Sequence, residues 1–371
     1  MMLAVEDTMV RHARMDGKTT VWIPGTDHAG ISTQVVVERQ LLQNHKKTRF
    51  DLGREKFLQQ VWRWVTQCRS TITDQTKRMG ASCDWEREQF TMSEKLSRSV
   101  RKAFKNMYES KKIFKSTYMV NRSPGAQTVV SDLEVEFHEE EGKLYYLRYF
   151  IEGKGDSITV ATTRPETIFA DVAVAVHPKD RRYKKFIGRN VLIPIVNRAI
   201  PVIADENVAI DFGTGALKIT PTHDETDFAV GQKHNLPMDR FALDKDNNFT
   251  EWAGEELAGK NAYDFFDNLI QHLHEIGNLE KVETHMHSVP YCERTKERIQ
   301  PMLSQQWFMD VKPAADRIMH HLDEEDVLVH PERFIKTFQS WLEDIRPWCI
   351  SRQLWWGHRI PVWYDADGLN T

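Results

Sequence analysis

The sequence predicts an α/β fold in which a doubly wound sheet is interrupted by a β-rich insertion. Residues 2–43 give the order helix, strand, loop, helix, which is typical of doubly wound α/β sheets. From residue 144 to about 290 the pattern changes to short β-branched and apolar runs separated by turn residues. Helical periodicity returns over residues 313–343, so the first fold is expected to resume after the insertion.

The length and composition indicate a protein of more than one compact unit. With 371 residues the chain exceeds one ordinary domain, and two or three units are expected. Hydrophobic residues make up 40% and charged residues 28%, which is ordinary for a soluble protein. No apolar run is long enough to span a bilayer, and the acidic start of the chain is unlike a signal peptide. The net charge of -4 gives no global basic surface, and the basic runs at residues 98–105 and 181–185 are better explained as solvated faces than as phosphate contacts. No membrane and no DNA are expected as partners.

The cysteines and histidines favour a cytoplasmic protein without a metal site. The chain contains four widely separated cysteines, Cys68, Cys83, Cys292 and Cys349. No two of them have the spacing of zinc ligands, and the pattern also argues against a disulfide framework. His320 and His321 are adjacent on a predicted helix and point apart, which favours surface positions for both.

The first part of the chain predicts alternating helices and strands. Apolar residues at helical spacing predict a helix over residues 2–15, and Gly17 ends it. The β-branched run Thr19–Ile23 predicts a buried strand with a loop, Pro24–Gly30, at its carboxyl end. Helical spacing resumes over residues 31–43.

Two longer helices and a strand follow before the insertion. Residues 54–79 carry an apolar stripe that predicts a core-facing helix, and Gly80 ends it. Residues 93–111 predict a second helix with Ser93 as its N-cap. Residues 113–120 predict a strand. The strands expected in the insertion are residues 144–150, 158–161, 191–196, 200–203 and 216–220, and the helices expected after it are residues 313–321 and 331–343.

The stretch from Gly213 to His234 places several polar groups on one strand and the helix after it. Side chains alternate along a strand, so Lys218 and Thr220 point the same way. Asp224 and Asp227 lie three residues apart and share a face of the helix. Together these groups suit a ligand with an ammonium and a hydroxyl group. On these residues alone, an alternative is that the acids only complement the helix dipole and Lys218 is solvated.

A second motif turns this pattern into a family resemblance. Thr162-Thr-Arg-Pro-Glu-Thr167 follows the apolar strand Ile158–Ala161 and precedes the Gly213–His234 stretch. Both motifs resemble the editing domain of valyl-tRNA synthetases, which are class I aminoacyl-tRNA synthetases. The resemblance implies a Rossmann-like catalytic domain over residues 1–143, interrupted by a β-rich editing domain over 144–290. It implies a return to the catalytic domain over 291–371.

The resemblance also implies roles for the editing residues. Asp227 would hold the ammonium of the esterified amino acid. Asp224, with Arg164 or Thr167, would bind the threonine hydroxyl, and Lys218 and Thr220 would position the terminal adenosine and the attacking water. These roles are interchangeable at the level of sequence. The expected catalytic set is Asp227, Asp224, Lys218, Thr220, Arg164 and Thr167.

The loop Pro24–Gly30 resembles the loop that borders the valine site in the same family. By this resemblance Asp27 would bind the α-ammonium of valine and His28 would line the pocket. Trp348, in Trp348-Cys-Ile-Ser-Arg-Gln353, would form a wall of that pocket, and simple core packing is an equal alternative.

The resemblance implies a valine–tRNA ligase that uses ATP with Mg²⁺ and binds the 3′ end of valine tRNA at the editing domain. The family signatures His-Ile-Gly-His and Lys-Met-Ser-Lys-Ser are absent from the sequence. We therefore expect an internal fragment of a longer enzyme that binds no cofactor itself and retains at most editing of threonine-charged tRNA. A tRNA-end-binding fragment without turnover and an inactive remnant remain as alternatives.

Overall fold

The computed structural model describes residues 2–324 and 326–366. The α-helices in these residues are α1 (Met2–Met15), α2 (Gly30–His45), α3 (Arg49–Leu52), α4 (Arg54–Arg78), α5 (Glu94–Glu109), α6 (Glu225–Lys233), α7 (Phe266–Glu275), α8 (Lys312–Asp323) and α9 (Ile335–Glu343). The strands are β1 (Gly25–Thr26), β2 (Gln89–Phe90), β3 (Ile113–Ser123), β4 (Thr128–Val130), β5 (Val135–Ile151), β6 (Ser157–Thr162), β7 (Ala173–Val176), β8 (Asn190–Leu192), β9 (Ala199–Ala204), β10 (Ala216–Ile219), β11 (Leu279–Cys292), β12 (Gln300–Met309) and β13 (Trp348–Cys349).

The chain divides into two compact units. Unit 1 comprises residues 1–114 and 307–371, and unit 2 comprises residues 115–306. The chain leaves unit 1 within β3 and returns to it within β12. The limits of unit 2 therefore lie outside the boundaries at 144 and 290 that the change of sequence pattern suggested.

Unit 1 is built on helices whose apolar stripes were readable from the sequence. In α4, Phe57, Val61 and Val65 are buried, and they pack with Val37 of α2 and with Trp356. The four helices predicted in this part are confirmed by α1, α2, α4 and α5, and Ser93 caps α5 as predicted.

The strand predicted over Thr19–Ile23 is wrong. The backbone there is irregular, Val21 is 63% exposed, and the strand that forms is the two-residue β1, which pairs in parallel with β2. In the described residues this segment forms only isolated backbone hydrogen bonds, such as the one from the Asp84 N–H to the Trp22 carbonyl. β-Branched residues favour a strand only where a neighbouring strand completes the ladder, and among the described residues none runs along this segment.

Unit 2 contains a seven-stranded sheet in the order β10-β7-β9-β8-β5-β11, and β6 also pairs with β5. β5 and β11 form a long antiparallel pair, whereas β7 and β9 run parallel. β6 also contacts β10, so the sheet curls around a core that includes Leu147, Tyr149, Phe169 and Leu273. The strands expected at 144–150, 158–161, 200–203 and 216–220 correspond to β5, β6, β9 and β10.

Three differences from the sequence-based expectation have local causes. The strand expected over 191–196 ends at Leu192, because Pro194 lacks an N–H and Ile195 adopts a φ of 68°. α7 was not predicted, and it begins without a side-chain N-cap bond. β7 was also missed, since its Ala-Val-Ala-Val sequence is buried on both faces and shows no alternation.

Candidate editing and amino-acid sites

The pairing of β10 with β7 brings two polar segments to one edge of the unit 2 sheet. The strands are antiparallel, with Ile219 opposite Ala173, so the residue that follows β10 lies beside the residues that precede β7. The Val172 N–H donates to the Ile219 carbonyl and extends this ladder. Asp171, which ends the turn after β6, is thereby placed next to Thr220.

A chain of buried hydrogen bonds connects four side chains at this edge. The Lys218 Nζ donates to Thr220 Oγ1 at 2.5 Å, and that hydroxyl donates to Asp171 Oδ1 at 2.5 Å. The Tyr149 hydroxyl donates to the other oxygen, Asp171 Oδ2, at 2.6 Å. The Lys218 Nζ also lies 3.6 Å from Asp171 Oδ1. Asp171, Tyr149 and Thr220 are fully buried, so this network is shielded from bulk water.

The network has a fixed polarity. A carboxylate only accepts hydrogen bonds, so the Thr220 hydroxyl hydrogen is directed to Asp171. Thr220 then has only acceptor capacity left for a further partner, whereas Lys218 retains N–H donors. Burial raises the pKa of Asp171, and the Lys218 ammonium and the hydroxyl donors oppose that rise.

Asp227 joins the network from the first turn of α6. Its side chain accepts from the Thr220 N–H at 2.8 Å, and the residue is 4% exposed. Burial raises its pKa to about 7, with Lys218 opposing and Asp224 adding to the rise. Lys218, Thr220 and Asp227 are thus brought together, as the spacing of the residues suggested.

Asp224 lies at the surface as the N-cap of α6. Its carboxylate accepts from the Asp227 N–H at 3.0 Å and therefore adjoins the network through the backbone of Asp227. One acid of the pair is consequently buried and weakly acidic, and the other is exposed to solvent.

Arg164 is held rigidly at the rim of this site. Its Nε donates to Glu166 at 2.9 Å, one terminal nitrogen donates to the His223 carbonyl, and the other donates to Gln300 at 2.7 Å. Thr167 is buried and donates its hydroxyl to the Arg164 carbonyl at 2.9 Å. The two residues of the upstream motif therefore form one unit beside His223.

His223 has a supporting position. Its Nε2 accepts from the Ala242 N–H at 2.9 Å, and burial, followed by the charges of Arg164 and Lys218, lowers its pKa to about 3. The ring is therefore neutral at physiological pH and serves to hold the loop that carries Ala242.

Sequence reasoning missed Asp171 and Tyr149. Asp171 lies four residues beyond Thr167, and a lone acid directly before the apolar run Val172–Val176 was the available signal. Tyr149 lies on β5, far away in sequence, and nothing local marks it.

Asp27 and His28 lie together in unit 1. The Asp27 side chain is 69% exposed and accepts from the Ala29 N–H at 3.1 Å and from the Thr91 hydroxyl at 3.2 Å. The His28 Nδ1 lies 2.8 Å from Thr91 Oγ1, and burial lowers the pKa of His28 while Asp27 opposes that change.

Trp356, rather than Trp348, provides the indole beside this loop. Its ring contacts His28 edge-to-face, and its Nε1 donates to the His28 carbonyl at 2.8 Å. Trp348 lies on β13, pairs with Met309 of β12 and is 52% exposed. No contact between Trp348 and Asp27 or His28 is found in the described residues.

A single group of three possible metal ligands occurs in the residues that the structure describes. It comprises His321, Glu324 and Asp326 at the surface near the end of α8. His321 already pairs with Asp326 at 3.0 Å, and both acids are exposed, which is common without a metal ion. The absence of a metal site therefore stays a prediction.

Comparison with known proteins identifies the family. The family model described as tRNA synthetases class I (I, L, M and V) matches residues 1–370. The chain belongs to the class I tRNA synthetase family. Its predicted fold class, a Rossmann-like catalytic domain interrupted by a β-rich insertion, is confirmed.

The predicted resemblance to valyl-tRNA synthetases is also confirmed. The valine–tRNA ligase of Thermotoga maritima is 47% identical to this class I synthetase chain over 365 residues. The chloroplastic/mitochondrial valine–tRNA ligase 2 of Arabidopsis thaliana is 48% identical over 365 residues, and that of Carboxydothermus hydrogenoformans is 49% identical over 360. These matches cover 98%, 98% and 97% of the chain but 42%, 37% and 41% of the relatives.

The chain therefore spans about two-fifths of the length of these curated relatives. None of the helices in its described residues combines the length and apolarity needed to cross a membrane.

Proposed function

We propose that this protein is a valine–tRNA ligase and that unit 2 hydrolyses threonine from mischarged valine tRNA. The ligase reaction would use valine, valine tRNA and ATP with Mg²⁺. Neither phosphate-binding signature of the family occurs in the 371 residues, so we assign no ATP-binding residues in this chain.

The need for hydrolysis follows from the shapes of the two amino acids. Threonine and valine have almost the same shape, and a hydrophobic pocket rejects an added hydroxyl only weakly, as is known for this family. A pocket that hydrogen-bonds the hydroxyl discriminates better, because valine would leave its buried polar groups without partners.

The polarised network Lys218–Thr220–Asp171 is the observation that carries the proposal. Lys218 can donate to an oxygen of the ester or of the terminal ribose, and Thr220 can accept from the attacking water. Since Asp171 and Tyr149 fix both groups in a buried position, little reorganisation accompanies the reaction.

Asp227 in α6 and Asp224, the N-cap of that helix, bind different groups of the threonine. Asp227 holds the ammonium group, because it is the buried carboxylate beside Thr220, and Asp224 accepts from the threonine hydroxyl at the more exposed end. Arg164 and Thr167 hold the opposite rim. Water adds to the ester carbonyl, the bond to the ribose oxygen breaks, and that oxygen leaves with the proton that the water loses. Placement of the water supplies most of the rate.

For the valine site we propose Asp27 as the ligand of the α-ammonium group and His28 as part of the pocket wall. Trp348 stays in this proposal as an open assignment, since the ring contact to His28 comes from Trp356. An Asp27→Asn variant should weaken the binding of valine in calorimetric titration. Unchanged binding would remove Asp27 from the site.

Deacylation tests the editing proposal directly. The purified chain is offered valine tRNA charged with threonine or with valine, and the loss of each ester is followed. Selective loss of the threonyl ester is expected. Loss of neither ester, from a folded sample, would leave tRNA-end binding without turnover or an inactive remnant as the alternatives.

A further inference from the structure

Two arginines and a tryptophan of unit 2 form a cluster that the hydrolysis does not use. The guanidinium carbon of Arg198 lies 4.9 Å from the centre of the Trp252 ring, and that of Arg240 lies 5.4 Å from it. We call Arg198, Arg240 and Trp252 the arginine–tryptophan cluster. All three residues are half-buried, so a ligand can reach them.

The cluster carries two positive charges that form no direct ion pair. No carboxylate of the described residues lies within ion-pair distance of either guanidinium group, and Asp171 acts on Arg198 only from beyond that distance. The Arg198 Nε is buried and has no hydrogen-bond partner in the described structure. Burial and then the charge of Arg240 lower the pKa of Arg198, and the charge of Asp171 opposes this change. Such an arrangement is unfavourable unless an anion completes it.

Both arginines are tied to the segments that build the editing site. Arg198 donates to the carbonyl of Phe169, which lies between Thr167 and Asp171 in the turn after β6. The Arg240 carbonyl accepts from the Thr222 hydroxyl at 2.5 Å, between Thr220 and the N-cap of α6.

The position of Trp252 is fixed by the same segments. It lies in the short turn Glu251–Ala253, whose capping residue Thr250 donates its hydroxyl to the carbonyl of Phe241, the neighbour of Arg240. The cluster is therefore anchored beside the network of Lys218 and Thr220.

We propose that the arginine–tryptophan cluster binds a phosphodiester of the tRNA 3′ end while the threonyl ester lies in the editing site. Guanidinium groups stacked on an indole keep their edges free for the forked hydrogen bonds that a phosphate accepts. A phosphodiester is the anion that necessarily accompanies the terminal adenosine of tRNA. This inference rests on the proposed editing function, and it names the part of the substrate that the cluster recognises.

A comparison of two substrates separates the cluster from the catalytic residues. Arg240→Gln is the primary variant, because no side-chain hydrogen bond of Arg240 is found in the described structure. It should lower kcat/KM for threonine-charged valine tRNA about tenfold. Threonyl adenosine, which has no phosphodiester, should be hydrolysed at an unchanged rate. Arg189→Gln is the matched control, because Arg189 is exposed in the same unit and has no ion pair in the described residues.

A binding measurement covers the case in which the chain hydrolyses neither ester. A single-stranded oligonucleotide that ends in the tRNA sequence CCA is titrated by fluorescence anisotropy at several salt concentrations. Arg240→Gln should weaken binding and reduce the salt dependence by a slope of about 0.7, the value for one contact to a single strand. Arg198→Lys, which keeps the charge, should lie between wild type and Arg240→Gln.

The outcomes are distinct. Wild-type hydrolysis of neither ester would overturn the editing function, whereas the oligonucleotide titration would still decide about the cluster. Equal binding by Arg240→Gln and Arg189→Gln would overturn the inference. An equal loss of hydrolysis for both substrates in Arg240→Gln would also overturn it, because the cluster would then support the fold rather than bind phosphate.

Discussion

The side chain of Asp227 is buried, although hydration stabilises the charged form of a carboxyl group. At the residue scale this means that the group is weakly acidic, since burial raises its pKa to about 7. A carboxyl with that pKa changes charge near physiological pH, and the proposed role of ammonium ligand predicts a different pH dependence from that of a general base.

The first prediction concerns the pH dependence of hydrolysis. If Asp227 holds the ammonium group, kcat/KM for the threonyl ester should fall about tenfold per pH unit below pH 7, because the free carboxyl becomes neutral. The value of kcat should stay flat over that range, since the bound ammonium lowers the pKa of Asp227 in the complex. Rates measured between pH 5 and 7 check this prediction.

Asp227→Asn is the control for this profile. It keeps an acceptor for the Thr220 N–H but carries no titrating group, so its residual activity should not follow the same curve. A fall of kcat with the same midpoint would instead identify Asp227 as a general base and contradict its role as an ammonium ligand.

The second prediction concerns Asp171 as a positioning residue. Asp171→Asn removes the charge beside Lys218 and the carboxylate that accepts from the Thr220 hydroxyl, so both groups should lose part of their fixed orientation. We expect kcat for the threonyl ester to fall about 100-fold with little change in KM. An unchanged kcat in a folded variant would show that Asp171 does not position Lys218 and Thr220.

Asp171→Asn breaks a buried ion pair, which costs about 3–5 kcal/mol of stability. Tyr149→Phe leaves that ion pair intact and is therefore the milder variant. It removes one hydrogen-bond donor to Asp171 and should lower kcat with little change in KM. Tyr183→Phe is its matched control, since the Tyr183 hydroxyl donates to the Thr214 carbonyl of the same unit.

At the scale of elements, α6 is fixed at both ends. Asp224 caps its first turn. At the other end, Asp205 accepts from Lys233 at 2.9 Å and lies 2.7 Å from the His234 Nε2. Burial alone would raise the pKa of Asp205, but the Asn207 N–H, Lys233 and His234 lower it to about 2. The helix therefore presents Asp227 in a fixed position.

The third prediction separates the two roles of Asp224. Asp224→Asn keeps the N-cap and should change stability by only a few tenths of a kcal/mol, whereas Asp224→Ala should lose about 1 kcal/mol. Both variants should lose preference for the threonyl over the valyl ester, because neither carries the exposed carboxylate. Urea unfolding and deacylation measure the two effects, and full selectivity in Asp224→Asn would leave Asp224 as a cap only.

The elements show which parts of the fold the sequence encodes locally. α4 could be predicted because its apolar stripe is a periodic feature of one segment. The strand at Thr19–Ile23 could not be judged that way, because a strand depends on its neighbours. The same distinction holds for the site: Lys218, Thr220 and Asp227 are close in sequence, whereas Asp171 and Tyr149 join them only through the pairing of β7 and the packing of β5.

At the scale of the whole molecule, the two units have separate hydrophobic cores. One core surrounds Phe57 and Trp356 in unit 1, and the largest surrounds Leu147 and Phe169 in unit 2. The change of sequence pattern marked a β-rich stretch from residue 144 to about 290, whereas unit 2 also includes β4 and most of β3 and β12.

The last prediction combines the two cores with the titration of Asp227. Calorimetry should resolve two unfolding transitions, and Asp227→Asn should shift only the one that belongs to unit 2. The carboxyl has a pKa of about 7 in the folded state and an ordinary value of 3.8 when unfolded, so the folded state binds more protons between these values. The free energy of unfolding therefore falls as the pH rises through this range, by about 4 kcal/mol when complete.

Asp227→Asn lacks this titration. The Tm of its unit 2 transition, relative to wild type, should therefore rise between pH 5 and pH 8 and level off above that range. Asp205→Asn should instead lower the Tm by an amount that stays constant between pH 5 and pH 8, because the folded-state pKa of Asp205 is about 2 and its stabilisation is lost only as the pH falls below about 4. A constant Tm difference for Asp227→Asn across the range would show that the Asp227 carboxyl is ionised at all these pH values, and the assignment of a weakly acidic Asp227 would then fail.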